Sequence, residues 1–150
     1  MRLLILSFYY PPDLCAGSFR TQALITALKK YSAQGLEVDV FTTQPNRYAE
    51  LLCSAENYED KGWLRISRIE LPPHQSGMAD QARAFLKYAI KARSLTKSGN
   101  WDLVYATSSR LMTAALGAYL SRKLTVPLYL DIRDIFTDTM NDILDGSVLK

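Results

Sequence analysis

Two cysteines, Cys15 and Cys53, and a single histidine, His74, are all the thiols and imidazoles that this 150-residue sequence offers. The cysteines lie far apart, so there is no CxxC pair, no zinc knuckle and no secreted disulfide framework, and a reducing cytoplasmic compartment is expected. One imidazole excludes every mechanism that needs two, the HExxH zinc site among them, and leaves a Ser/His/Asp triad only with His74 as its base. Charge of one sign is scarce as well. Lys and Arg number 18 against 15 Asp and Glu, a formal net charge of +3, which falls short of the concentrated basic footprint of a nucleic-acid binder. No apolar run approaches the ~20 residues of a membrane span. The stretch from Leu3 to Tyr10 follows Arg2, yet it is interrupted by Ser7, stopped by Pro11-Pro12 and followed by no small-residue cleavage site, so it reads as a strand and not a signal peptide. A G-x-G-x-x-G fingerprint is also missing, and Thr42-Thr43 stand where a dinucleotide site would place an acidic residue, which disfavours NAD.

What is present is material for one core: 48% of the residues are apolar, and a domain of this size buries roughly 70% of its unfolded surface. Leu3-Leu4-Ile5-Leu6 is continuously apolar, as a strand covered on both faces should be. Phe19, Ala23, Leu24, Ala27, Leu28 and Tyr31 then recur at helical spacing from Ser18 to about Ser32, with Gly17 and Ser18 as starting residues and Gly35 as the stop. Val38, Val40 and Thr42 alternate in a second strand. Gln44 to Lys61 is polar and reads as a long surface loop. A strand from Trp63 to Leu71, a helix from Met78 to Lys97, a strand from Asp102 to Thr107, a helix from Arg110 to Leu124, a strand from Pro127 to Ile132 and a helix from Phe136 to about Leu144 complete the chain. The pattern predicts an α/β fold of five parallel strands sandwiched by helices with right-handed crossovers.

Ligands in such sheets bind beyond the carboxyl ends of the strands, at the topological switch point. That rule selects three segments. In the first loop, Gly17 either permits a tight turn or lets backbone approach a ligand, while the helix start behind it favours anions by ~0.3–1 kcal/mol. Thr107-Ser108-Ser109 either caps a helix or holds a sugar or phosphate. Asp131-Ile132-Arg133-Asp134 puts two carboxylates around a guanidinium at a strand end, either as a structural ion pair or as a carboxylate for a substrate hydroxyl and an arginine for an anion. Asp134, Asp138 and Asp142 recur at helical spacing, a pattern that reads as a solvated or helix-start face and not as a metal site. On the long helix Ala82, Phe85, Leu86, Ala89 and Ile90 are expected to form the buried stripe, with Arg83, Lys87 and Lys91 as a basic row facing either solvent or anionic phospholipid. His74, in a flexible loop, is an additional candidate acceptor contact.

Four stretches, Leu3 to Pro12, Ala16-Gly17-Ser18-Phe19-Arg20, Asp102 to Ser109 and Val126 to Asp134, together resemble the amino-terminal domain of family 4 glycosyltransferases, in order and over almost the whole chain. The resemblance is greatest to bacterial members that build surface polysaccharide such as lipopolysaccharide O-antigen. It implies one Rossmann-like half of a GT-B architecture, an acceptor-side domain that faces a donor-binding domain beyond Lys150. It further implies retaining transfer without metal or other cofactor from a UDP- or GDP-linked sugar to a lipid-linked saccharide, at the inner face of the plasma membrane. By the same resemblance Gly17 approaches donor phosphates or acceptor, Arg20 matches a basic residue of some members, and Asp134 falls on the Asp of a His-Asp pair and is the catalytic candidate. Gly17, Ser18, Arg20, His74, Thr107, Ser108, Ser109, Asp131 and Arg133 are the substrate-binding candidates. Two departures stand out: Ala16 replaces the first of two adjacent glycines, and Arg133 replaces the histidine. The chain alone is expected to be inactive in transfer. The competing expectation is a stand-alone flavodoxin-like binding or membrane-surface module without catalysis.

Overall fold

The computed structural model describes residues 1–46, 55–72, 77–108 and 111–132. The continuous apolar run at the start is β1 (Arg2–Leu6), and it lies inside the sheet with Leu3 to Leu6 all buried. Around it stand β2 (Glu37–Thr43), β3 (Tyr58–Asp60), β4 (Leu64–Ile69), β5 (Leu103–Thr107) and β6 (Leu128–Asp131) in the order β3-β4-β2-β1-β5-β6. Helix α1 (Ala16–Leu28) covers one face through Leu3, Ile5, Val38, Val40, Leu64 and Ile66. Helices α2 (Met78–Leu95) and α3 (Leu111–Leu124) cover the other, over Leu4, Leu6, Phe41, Val104 and Ala106. The chain is therefore an α/β, Rossmann-like sandwich, and its switch point lies between β1 and β5. Among the described residues no helix is long and apolar enough to cross a membrane.

Three features differ from the sequence reading. The sheet has six strands and is not wholly parallel, because Tyr58–Asp60, inside the segment expected to be loop, pairs antiparallel with β4. Its residues are polar and half-exposed or exposed; the strand forms from backbone pairing at an edge, and Gln44 helps place it by donating from Nε2 to the Ala55 carbonyl at 2.9 Å. Helix α1 begins at Ala16, two positions before Ser18, and gives way at Lys29 to a tight 3₁₀ segment that Gly35 closes at φ 82°, in the left-handed region that glycine tolerates. Its buried face is Ser18, Thr21 and Ile25, while Phe19 and Tyr31 are exposed.

The third difference is on α2. Its buried stripe is Ala84, Phe85, Tyr88 and Ala92; of the expected set Phe85 is buried and Ala89 packs partly buried against the same core, whereas Ala82 is exposed and Leu86 and Ile90 face outward at 59% and 61% exposure. Tyr88 wins the core position because its hydroxyl finds a partner there: it donates to the Phe41 carbonyl at 2.8 Å, so an aromatic body is buried without stranding a polar end. Burial pushes this phenol far above its ordinary pKa.

At the amino-terminal edge of the sheet the buried Asp39 carboxylate accepts from Arg2 Nε at 2.6 Å and from Trp101 Nε1 at 2.8 Å, and Arg65 Nε lies 3.2 Å from its other oxygen. The Arg2 pKa is raised, chiefly by its hydrogen bond to Asp39. On the α3 side, Gly117 lets the helix lie close against β5: a Cβ at this position would meet the Ala106 Cβ at 2.5 Å.

Candidate functional site at the carboxyl edge of the sheet

Strand alternation and register assemble a polar row that no single strand displays. Thr42 is level with Arg68, and Thr107 is level with Asp131. Leu6 is level with both Phe41 and Ala106, so Ser7, one residue on, joins Thr42 to Thr107. On the α1 side of the sheet the C-terminal edge thus reads Arg68, Thr42, Ser7, Thr107, Asp131 across five adjacent strands, β4, β2, β1, β5 and β6. Two residues earlier, about 7 Å down each strand, the same face reads Ile66, Val40, Ile5, Tyr105, Tyr129, the two tyrosine rings stacked 5.5 Å apart. The apolar core therefore ends along a line, and a line of hydroxyls closed by a guanidinium and a carboxylate begins.

The amino-terminal half of α1 lies over this row, which explains its polar buried face. Thr21 Oγ1 lies 2.9 Å from Ser7 Oγ and 2.9 Å from the Gly17 carbonyl, and Ser7 Oγ is 2.7 Å from the Tyr9 carbonyl. Two hydroxyl protons thus serve three contacts, and each of the two oxygens keeps at least one lone pair outside them. Cys15 stands at the N-cap in extended conformation and makes no side-chain capping bond, and no acidic residue occupies the first turn. The first amides of such a helix have no intrahelical acceptor. Ser18, fully buried in that turn, has an Oγ without a hydrogen-bond partner, a condition that costs about 1–3 kcal/mol. Thr113, in the first turn of α3, is likewise buried with its Oγ1 unpartnered.

The first loop is held by its neighbours. Thr43 Oγ1 donates to the Phe8 carbonyl at 2.7 Å, and the Asn46 amide donates to Asp13 Oδ1 at 3.0 Å. Arg68 is the clasp on the other side: it is buried, donates from Nη2 to the Pro11 carbonyl and from Nη1 to the Glu56 carbonyl, both at 3.0 Å, and pairs with Glu59. Lys61 and Arg68 hold the Glu59 carboxyl below its ordinary value of 4.5, the Lys61 hydrogen bond contributing most. A carboxyl depressed by folding adds stability above its unfolded pKa and loses it as pH falls through the folded value. Acid unfolding followed by tryptophan fluorescence below about pH 4.5 is therefore expected to be shallower in Glu59→Gln than in the parent; equal slopes would mean that Glu59 takes no part.

Of the residues expected from sequence, Gly17, Ser18, Thr107, Ser108 and Asp131 come together at this edge. Arg20 is exposed one turn along α1 from Gly17. Ser108 does not offer a free amide, because its N–H donates to the Asp131 carbonyl at 2.9 Å and extends the β5–β6 ladder. Arg83, Lys87 and Lys91 are exposed on α2, apart from this row. His74, Ser109, Arg133 and Asp134, with Asp138 and Asp142, lie outside the described residues. Ser7, Thr21, Thr42 and Arg68 join the site only through the fold; their signal in the sequence is a polar residue at the end of an apolar run or alternation.

No family model and no curated protein matches this chain. Solved structures do share the fold. A crystal structure of the C-terminal domain of a hydrogenase from Pyrococcus furiosus is 18% identical with a TM-score of 0.52, over 87% of this chain and 89% of that one. A second crystal structure of that domain is 15% identical, also at 0.52, over 86% and 88%. At such identity the likeness is one of fold alone.

Proposed function

We propose that this chain is the acceptor-side half of a glycosyltransferase that moves a sugar from a UDP- or GDP-linked donor to a lipid-linked saccharide in surface-polysaccharide synthesis. The observation that carries the reading is the polar row beneath the uncapped start of α1, at the switch point where α/β sheets take their ligands. A donor diphosphate suits the amides around Gly17, the unpartnered Ser18 hydroxyl and Arg20. A saccharide hydroxyl both donates and accepts, and so suits Ser7, Thr107 and the Asp131 carboxylate. In this reading Asp134 contacts the attacking hydroxyl, and a separate domain holds the donor sugar.

Titration of pyrophosphate and UDP into the ¹⁵N-labelled chain tests the row directly. The amides of Ala16, Gly17 and Ser18 are expected to shift, and Ser18→Ala is expected to weaken binding about tenfold or more, the equivalent of one hydrogen bond to a charged group, while relieving a buried unpartnered oxygen and leaving the melting temperature unchanged or higher. Binding unaffected by Ser18→Ala removes the α1 start from the site. A membrane-fraction transfer assay with a reading frame extended past Lys150 tests the chemistry: product lost in Asp134→Asn with the fold retained supports transfer. Absence of both transfer and nucleotide binding favours a binding module without catalysis.

A further inference from the structure

Helix α1 covers β1, β2 and β4 on its face of the sheet. On the same face of β6, the outermost strand, Tyr129 is left 60% exposed. Its ring is held in place: it stacks on Tyr105 with 5.5 Å between centroids and 9° between planes, and Tyr105 is itself half-buried against the α1 core. One face of the Tyr129 ring is thus taken. The opposite face points away from β5, where β6 ends the order of described strands. Two residues on, about 7 Å along the same face of the strand, stands the half-buried Asp131, and Thr107 level with it is buried. A fixed aromatic face and a carboxylate therefore border one another on a single edge strand.

An aromatic face is the negative side of the ring quadrupole, and the C–H groups of a sugar are polarised positively by the oxygens on the same carbons. A pyranose carries several such C–H groups on one side of its ring and hydroxyls around its rim. It can therefore stack on Tyr129 while neighbouring hydroxyls donate to the Asp131 carboxylate, which offers about four lone-pair sites. A helix laid on the same surface, about 10 Å across, would cover the carboxylate together with the rings and strip its water, a penalty that burying one tyrosine does not offset. We propose that Tyr129, held by Tyr105, is the stacking platform for one pyranose ring of a saccharide, and that Asp131 accepts hydrogen bonds from its hydroxyls. That this ring belongs to the acceptor of a sugar transfer rests on the transferase reading above, whereas the platform rests on the tyrosine pair and its carboxylate.

Saturation-transfer difference NMR of the full chain with methyl β-galactopyranoside, methyl β-glucopyranoside and methyl N-acetyl-β-glucosaminide tests it, with erythritol as a polyol that has hydroxyls but no ring face. Saturation is expected on the C–H groups of one side of the ring in at least one glycoside, and not on erythritol. Tyr129→Thr keeps a strand-forming residue at an exposed position and is expected to weaken that binding about fivefold or more, the equivalent of one aromatic contact. Tyr129→Phe keeps the ring and is expected to change it less than about twofold. Asp131→Asn replaces a charged acceptor by a neutral one and is expected to weaken it about fivefold. Far-ultraviolet circular dichroism checks that each variant keeps the fold. The proposal falls if no glycoside is saturated, if erythritol is saturated equally, if Tyr129→Thr binds as the parent does, or if Tyr129→Phe loses as much as Tyr129→Thr. It falls too if Tyr129 resists nitration by tetranitromethane, since the chain's own residues then cover the ring, or if the parent is a dimer that Tyr129→Thr dissolves, which assigns the face to a second copy. Failure of the transferase reading looks different. Glycoside binding that depends on Tyr129, with neither nucleotide binding nor transfer, keeps the platform and removes the acceptor role; transfer with an unchanged acceptor KM in Tyr129→Thr keeps the transferase and removes the platform.

Discussion

Asp39→Ala is expected to destabilise the fold by about 3 kcal/mol, read as a lowered midpoint in urea with an unchanged slope. The carboxylate is buried and accepts from the buried Trp101 indole at 2.8 Å and from Arg2 at 2.6 Å. Removing it leaves the indole N–H without its acceptor and the Arg2 guanidinium without its counter-charge, while Arg65 keeps its pair with Glu37. The loss sits at the low end for a broken buried pair because Arg2 and Arg65 side chains keep 31% and 24% of their exposure and stay hydrated. Asp39→Asn retains an acceptor oxygen and is expected to recover part of the loss. A change below about 1 kcal/mol on alanine substitution would show that water replaces the carboxylate, and that the cluster orders the strand ends without stabilising them.

The second large effect is expected at Gly117. Alanine there puts a methyl 2.5 Å from the Ala106 Cβ, where neither side is the movable end of a long side chain. Helix α3 must lift from β5 or slide, at a cost of about 1–3 kcal/mol that outweighs the ~1 kcal/mol gained by removing a helical glycine. Gly117→Val is expected to exceed Gly117→Ala, since its side chain also approaches Leu128. The decisive measurement is a double-mutant cycle with Ala106→Gly, which reopens the space: the pair is expected to be more stable than the sum of the singles predicts. Strict additivity would place the clash elsewhere.

The sequence made the existence and order of the main elements legible, because each is announced by its own short pattern: an unbroken apolar run for β1, alternation for β2, a glycine stop at Gly35. It misassigned what depends on neighbours. Strand β3 carries no apolar pattern, since it is held by the backbone of β4. On α2 two apolar stripes compete at helical spacing, and the Phe41 carbonyl and the Phe8 ring, both distant in sequence, favour Tyr88 inward and Leu86 outward. The candidate site divides in the same way. Gly17, Ser18, Thr107 and Asp131 are visible as the residues that end strands or begin helices. Ser7, Thr42 and Arg68 become members only through register, which a linear reading does not contain.

That dependence on register constrains how the row can change over generations. Because side chains alternate with a period of two, a single-residue insertion or deletion within β1, β2 or β5 would turn that strand's contribution to the opposite face and present a neighbouring side chain in its place, for Ser7 the apolar Leu6 or Phe8. Substitution can retune the row one position at a time, whereas length variation can enter only through the connections. Lineages descended from this chain should therefore differ freely in loop length and hardly at all in the number of residues that these three strands contain.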